Sequence, residues 1–344
     1  METFFDFEKP IITLEKKLQE LREIEQSDGV DFKDEIKTLE KKLQKLIQET
    51  YVKLTTWQRV QLSRHPNRPY TMDYVESIFP DFQELHGDRT FGDDAALICG
   101  TATWEHQNKS VPKKVPVMII GHQKGRTTKQ KVERSFGMAR PEGYRKAIRM
   151  FELADRFRMP VITFIDTPGA YPGMDAEERG QSQAIAESIA KMFAITVPTC
   201  AIVIGEGGSG GALAIGIGNQ VYMQEFSTYS VISPESCASI LWSDSALAER
   251  AAERLKITAK DLDQMKLVDL IIPEPNGGAH RDPAGALAQM KKTVDQFMSS
   301  CEKQNFSDPS SKESKAIQMD RIKKFRKMGD FAIKNMATSQ GESK

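Results

Sequence analysis

The sequence predicts an α/β protein with a largely buried sheet, preceded by an N-terminal helical hairpin. Three observations carry this reading. Residues 12–50 are rich in Lys, Glu and Leu at helical spacing, short apolar runs alternate with helical segments from about residue 95, and glycine clusters where those apolar runs end. Continuous apolar strands belong to sheets covered on both faces, and strand–helix alternation belongs to layered α/β packing.

In the first segment Leu14, Leu18, Leu21 and Ile24 share one helical stripe, and Ile36, Leu39, Leu43 and Leu46 share a second. Ser27-Asp28-Gly29 reads as the turn between them. Such a seam faces itself, a partner or the core of its own chain. Arg64-His65-Pro66-Asn67-Arg68-Pro69 follows, a connector whose two prolines oppose helix. Strands are predicted over 95–103, 115–121, 161–166, 199–205, 220–225 and 268–272, and helices over 142–158, 176–193, 211–218, 246–255 and 283–303. Beyond Phe306 the chain is polar and charged. Ile317, Ile322, Phe325 and Met328 can line a last helix, and 338–344 is expected to be disordered. Three regions result: a hairpin over 1–54, an α/β domain over 55–303 and a tail over 304–344.

The bulk properties exclude several classes. In 344 residues, 48 Lys and Arg balance 48 Asp and Glu, so no global field draws the chain to nucleic acid or a membrane. No apolar run reaches the ~18 residues of a membrane span. Cys99, Cys200, Cys237 and Cys301 form no C-x-x-C pair, which argues against a zinc ribbon or other metal site in this chain. Their wide spacing and the absence of a secretory signal fit a reducing cytoplasm.

Three glycine turns lie at predicted strand ends, where open α/β folds bind ligands. The first is Gly121-His122-Gln123-Lys124-Gly125-Arg126. Its Lys124 and Arg126 belong either to a solvated charged face or to a site for coenzyme A phosphates or an acidic partner. The second is Asp166-Thr167-Pro168-Gly169-Ala170-Tyr171-Pro172-Gly173. Asp166 is an acid, a base or a loop cap, and Tyr171 either stacks on a planar ligand or fills the loop. Without an upstream G-x-x-x-x-G-K-[ST], this turn does not make a GTPase.

The third turn, Gly205-Glu206-Gly207-Gly208-Ser209-Gly210-Gly211, fits two patterns at once. Gly205, Gly207 and Gly210 satisfy G-x-G-x-x-G with Glu225 downstream, but a dinucleotide fingerprint normally opens a domain and this one comes late. Gly207, Ser209 and Gly211 satisfy the G-x-S-x-G elbow, for which Asp244, Asp263 or Asp269 and the loop residue His280 would have to complete a triad. A third reading needs less. Glycine feeding a helix leaves backbone N–H groups unpaired, with no Cβ to keep a substrate oxygen away. That is oxyanion-hole geometry. The alternative is close helix–strand packing alone.

Taken in order, these turns resemble one family. Arg64-His65-Pro66-Asn67-Arg68-Pro69-Tyr70-Thr71, the first turn, Pro141-Glu142-Gly143-Tyr144-Arg145-Lys146-Ala147, the second turn, Glu177-Glu178-Arg179-Gly180-Gln181-Ser182 and the third turn are all similar to the α chains of bacterial acetyl-CoA carboxylase carboxyltransferase. So are Tyr229-Ser230-Val231-Ile232-Ser233-Pro234-Glu235 and the segment from Ile272 to Arg281. The similarity runs from about Phe5 to Cys301.

The resemblance implies a crotonase-like (ClpP/crotonase) spiral of ββα units, not a Rossmann sheet. It implies transfer of the carboxyl group of carboxybiotin to acetyl-CoA, giving malonyl-CoA for fatty acid biosynthesis. It also implies an α2β2 assembly with a zinc-bearing β chain, and a site at the α–β interface. Biotin carboxyl carrier protein and an ATP-using biotin carboxylase are then separate chains; no Ala-Met-Lys-Met biotinylation site and no P-loop occur here. The family pattern places the oxyanion hole at Gly210 and Gly211, with Gly207, Gly208, Ser209, Asp166, Pro168, Gly169, Ala170 and Tyr171 lining the biotin cleft. The released biotin nitrogen can itself take the methyl proton, so no catalytic histidine is required.

Three departures stand out. Ser236 replaces the glycine of Pro-Glu-Gly-Cys-Ala-Ser, which strains the turn if that position needs positive φ. The segment 107–114 looks like a hairpin elongation, and the tail beyond Phe306 differs most. A self-sufficient acyl-CoA hydratase or isomerase using Glu178 or Glu206 and a scaffold built on the hairpin are the competing readings.

Overall fold

A computed structural model describes residues 4–28, 31–105 and 114–329. The chain opens with helices α1 (Lys9–Asp28) and α2 (Lys33–Val52), followed by α3 (Thr56–Ser63) and α4 (Thr71–Ile78). The proline connector lies between α3 and α4, outside helix. The Ser27–Gly29 turn falls at a junction of which 29 and 30 lie outside the described residues. Strands β1 (Gln83–Glu84), β2 (Leu97–Glu105) and β3 (Lys114–His122) come next, then α5 (Thr128–Glu133), α6 (Pro141–Phe157) and β4 (Val161–Thr167). Residues 106–113 lie outside the described residues, so the hairpin elongation is seen only at its base, where Glu105 faces Lys114.

The predicted helix over 176–193 is two helices, α7 (Met174–Glu178) and α8 (Gln181–Ala194). Gly180 breaks it with a left-handed φ of 78°. After β5 (Thr199–Gly208), the helix predicted over 211–218 is only α9 (Ser209–Leu213). The segment after it packs closely, since a Cβ at Gly216 would meet the Tyr229 hydroxyl and one at Gly218 the Gln220 and Ala201 backbones. The remainder is β6 (Gln220–Gln224), β7 (Thr228–Ser230), α10 (Pro234–Trp242), α11 (Ala248–Leu255), α12 (Ala259–Gln264), β8 (Leu270–Ile272), α13 (Pro283–Cys301) and α14 (Lys312–Lys327). A 3-10 turn over Ser245–Leu247 replaces the start of the helix predicted over 246–255.

Eight strands form one mixed sheet ordered β1-β2-β3-β4-β5-β6-β8, with β7 pairing β5. The β1–β2 and β2–β3 pairs are antiparallel, and every later pair is parallel. Alternate residues of each central strand feed two cores. Met118, Ile120, Val161, Ile165, Ala201 and Val203 pack under Tyr144, Phe151 and Met192 of α6 and α8. Val117, Ile119, Ile162, Phe164, Cys200 and Ile202 pack under Tyr74 of α4 and Met290, Val294 and Phe297 of α13. Burial on both faces explains why these strands read as continuous apolar runs.

The hairpin is stapled to this body at its base. Glu8 accepts hydrogen bonds from Tyr51 (2.6 Å) and the Phe5 amide (3.0 Å), and its other contact is His280 Nε2 at 2.9 Å. His280 packs at a tilt against His65, ring centroids 4.5 Å apart. The seam is buried at Leu18 and Ile36 but exposed at Ile24 toward the tip. At the other end, α14 inserts the fully buried Arg321, whose guanidinium donates to the carbonyls of Met192, Ile195 and Val197 and to Asn219. The Met192 carbonyl is one of the orphans in the last turn of α8, and those of Ile195 and Val197 lie in the cap and the segment that follows it. Residues 330–344, including the expected disorder at 338–344, lie outside the described residues.

Burial pushes the Glu8 carboxyl up, but the His280, Tyr51 and Phe5 contacts outweigh it and hold the pKa at about 2, below the ordinary 4.5. A depressed carboxyl stabilises the fold above its unfolded pKa and loses that contribution as pH falls toward the folded one. Thermal melts of Glu8→Gln are therefore expected to fall less steeply than wild type as pH drops from 4.5 toward 2, while lying lower at neutral pH.

Candidate active site

Strands β3, β4 and β5 run parallel and end together. A bulge after Ile165 sets Thr167 opposite Gly207, which brings the second and third glycine turns face to face. A Cβ at Gly208 would sit 2.1 Å from the Pro168 carbonyl oxygen, and one at Gly211 would sit 2.6 Å from the Gly169 carbonyl carbon and 2.7 Å from Ala170 N. Glycine is thus required at both places for the two backbones to touch. Gly210 is different. A Cβ there would meet only Ile185, at an ordinary 3.5 Å, so packing does not explain its glycine.

Gly208 is the N-cap of α9 and offers no side chain to the helix. Gly210 and Gly211 are the second and third helical residues, whose N–H groups have no acceptor inside a helix. Among the described residues no backbone acceptor outside α9 takes them either. Ser209 is exposed and left-handed at φ 52°, Gly210 is half-buried and Gly211 is buried. In the second turn Thr167 Oγ1 donates to the Gly169 carbonyl at 2.6 Å. Pro168 is exposed, and Gly169, Ala170 and Tyr171 are half-buried. The Arg140 guanidinium lies 4.2 Å over the Tyr171 ring and pairs with Asp175 at 2.5 Å.

Behind the turns runs a chain of charges. Lys124 Nζ lies 2.8 Å from Asp166 and 2.9 Å from Glu206, and Asp166 also accepts the Glu206 N–H at 3.0 Å. Arg64 Nε reaches Glu206 at 2.6 Å, and its other nitrogens reach Glu235 on α10. Burial works against each charge, but Asp166 and Glu206 hold the Lys124 pKa high, and Lys124 and Arg64 hold that of Glu206 low. Arg126 is engaged too. It stacks on Tyr70 at 4.2 Å, pairs with Asp73 and donates to the carbonyls of Pro66 and Arg68. Both cations considered for phosphate or partner contact thus tie turns of their own chain together. Sequence reasoning assigned nothing to Arg64 and Glu235, whose pairing spans 171 residues. It gave no role to His122 either, a fully buried ring whose pKa is pushed down to about 3 by burial and by Lys124.

The competing chemistries lack their parts. Ser209 has the strained turn of an elbow, but His280 is bound to Glu8 inside the hairpin base. Glu206 is held by two cations, Glu178 is exposed on α7, and Glu225 accepts the Glu274 amide. Ser236 lies in the first turn of α10 at ordinary helical geometry, its N–H bonded to Ser233 Oγ, so the departure from glycine is unstrained.

The concavity bordered by Arg64, Pro168, Glu206, Gly207 and Gly208 is about 20 Å³, room for about one water. A groove of about 950 Å³ lies on the hairpin between α1 and α2, away from the glycine turns. The glycine site is a surface of one chain.

Solved structures share this fold. The transcarboxylase 12S with methylmalonyl-coenzyme A and methylmalonic acid bound superposes with a TM-score of 0.55 at 18% identity, over 71% of this chain and 44% of that one. A Pseudomonas malonate decarboxylase hetero-tetramer in complex with coenzyme A gives 0.52 at 14% identity, over 78% and 98%. The architecture is therefore the crotonase-like fold of carboxyltransferases. Sequence narrows the class. The chain is 51% identical over 327 residues to the acetyl-coenzyme A carboxylase carboxyl transferase subunit alpha of Thermus thermophilus, covering 95% of this chain and 98% of the relative. It is 56% identical over 280 residues to that of Thioalkalivibrio sulfidiphilus, covering 81% and 85%. Residues 4–329 match the family described as acetyl co-enzyme A carboxylase carboxyltransferase-like, and the chain belongs to that family, a carboxyl-transfer enzyme of fatty acid biosynthesis.

Lys124→Met leaves the buried Asp166 without its cation and Glu206 with Arg64 alone. Breaking a buried pair in this way typically costs about 3–5 kcal/mol. Urea unfolding of the variant is expected to show a loss of that size.

Proposed function

We propose that this chain is the half of the carboxyltransferase that receives carboxybiotin, and that the Gly210 and Gly211 amides are its oxyanion hole. The observation that carries the reading is the pair of acceptor-free N–H groups at the start of α9, set against the second turn where parallel strands end. Two donors with no nearby acceptor fit a carbonyl oxygen, an acceptor-only group. Carboxybiotin supplies the activated carboxyl group, and acetyl-CoA supplies the methyl carbon that takes it.

The amides of this chain bind the ureido oxygen more strongly as negative charge builds there, which is stabilisation of the transition state over the ground state. Pro168, Gly169, Ala170 and Tyr171 wall the cleft opposite, and Gly207, Gly208 and Ser209 form its floor. Asp166 acts from behind, holding the third turn through the Glu206 N–H, and Lys124 and Arg126 brace the first.

The reading requires a second chain. The 20 Å³ concavity is far short of the roughly 300–1,000 Å³ of a ligand pocket. On the segment that borders it Val231 is 77% exposed, and further along α10 Ile240 and Leu241 are 73% and 62% exposed, apolar side chains suited to a protein partner. In our reading that partner is the β chain, in an α2β2 assembly in the cytoplasm. The biotin carboxyl carrier protein brings carboxybiotin, and a separate biotin carboxylase uses the ATP.

Gly210→Val is the direct test. The side chain has room, so melting temperature and assembly are expected to stay at wild-type values. Malonyl-CoA formation with β chain, carboxybiotin and acetyl-CoA should fall by about 10²–10³-fold, the scale of one lost oxyanion donor. Full turnover would sink the assignment. Separately, Ile240→Asp with Leu241→Asp should leave the chain folded but weaken its co-elution with the β chain by roughly tenfold or more in affinity.

A further inference from the structure

His122 ends β3, directly before the Gln123-Lys124 pair. Its ring is fully buried, and neither Nδ1 nor Nε2 meets full hydrogen-bond geometry with a partner among the described residues, although the Gly211 backbone comes within reach of the ring. Buried polar atoms are nearly always satisfied, so two such nitrogens in one ring call for a cause. The Gly211 peptide lies against the ring.

Helix α9 has a matching gap in its bonding. In a regular α-helix the Gly211 carbonyl would accept from the N–H of Ile215. Here the Ile215 N–H goes to Ala212 at 3.4 Å, while Ala214 takes Gly210 at 2.9 Å and Gly216 takes Leu213 at 3.0 Å. The backbone ladder passes over the Gly211 carbonyl. A buried acceptor without a backbone donor thus stands beside a buried ring without an acceptor. A hydrogen bond between them would satisfy the carbonyl and one of the two ring nitrogens.

We infer that His122 is a positioning residue whose neutral ring donates one N–H to the Gly211 carbonyl and thereby sets the orientation of the Gly211 backbone. The N–H and the carbonyl of Gly211 belong to adjacent peptides hinged at a Cα that carries no side chain, the freest hinge a chain has. A bond on the carbonyl restrains that hinge, and with it the aim of the amide. A neutral ring is the form this place supports, because burial and the Lys124 ammonium both oppose its protonation.

The inference rests on the reading of Gly210 and Gly211 as the oxyanion hole, and its test separates the two. In the full chain assembled with a β chain, H122F fills the space without a donor. It is expected to lower kcat about tenfold, the scale of one neutral hydrogen bond, with KM for acetyl-CoA unchanged. Of H122N and H122Q, which keep an N–H donor at different reach, one should recover most of the loss. Unchanged kcat in H122F, or equal losses in all three variants, overturns the inference.

Should H122F not fold, the comparison of H122N with H122Q still decides, since a packing role alone predicts no recovery in either. Nitrogen-15 spectra of histidine-labelled chain give a readout independent of turnover. A neutral His122 with one exchange-protected ring N–H at neutral pH supports the inference, and its absence overturns it. If G210V keeps its turnover while this signal persists, the oxyanion-hole reading falls and the hydrogen bond stands.

Discussion

The site depends on one steric constraint, the contact of two bare backbones. The second turn, at Pro168 to Ala170, meets the third at Gly208 and at Gly211, where the distances leave no room for a Cβ. Side chains there would wedge the turns apart and tilt α9. Two strand ends that would otherwise carry separate loops are thereby fused into a single wall, with α9 starting at its edge. The bulge after Ile165 makes this possible, because it advances β4 relative to β5 and sets Thr167 beside Gly207.

Backbone contact alone fixes distance but not alignment, and the charges supply the rest. Asp166 bonds the Glu206 amide, Lys124 bridges the two carboxylates, and Arg64 carries the connection to Glu235 and so to α10. Strands β4 and β5, helix α10 and the segments that follow β3 and α3 each contribute one member. A network of this kind stabilises little beyond its own desolvation, but it penalises any misalignment severely. It also links the exposed apolar helix α10 to the back of the glycine turns, so a partner seated on α10 would press on the same framework.

The fold was legible to the extent that burial is local in sequence. The central strands were visible because both of their faces are covered, so 115–121, 161–166 and 199–205 read as unbroken apolar runs. Strands β1 and β7 were not, since two or three residues carry no period. Gly180 broke a helix whose apolar pattern runs through it, a left-handed turn that periodicity does not report. The glycine turns and the Gly210–Gly211 pair could be named from their placement at strand ends and from the resemblance. The roles of Lys124 and Arg126 could not, because a basic run beside a glycine turn looks the same whether its partners are phosphates or carboxylates 82 and 53 residues away. Arg321 was equally hidden. Its signal is one arginine in a charged tail, and only the packed α14 shows it closing the end of α8.

The arrangement of charge around the glycine turn bears on the chemistry proposed for it. A free cation at the mouth would attract the carboxyl group being transferred as strongly as the oxygen that becomes negative during transfer, and attraction common to both does not lower the barrier. Here Lys124 and Arg64 are bound to carboxylates, and the His122 ring is held neutral. In the proposed reading, what Gly210 and Gly211 offer is a pair of fixed dipoles, whose attraction grows with the charge on the oxygen they would meet. Backbone amides also need no side chain to be held in a rotamer. The precision of such a site therefore resides in the strand ends and ion pairs behind it, and Gly208 and Gly211 do as much for it through the contacts they permit as through any bond they make.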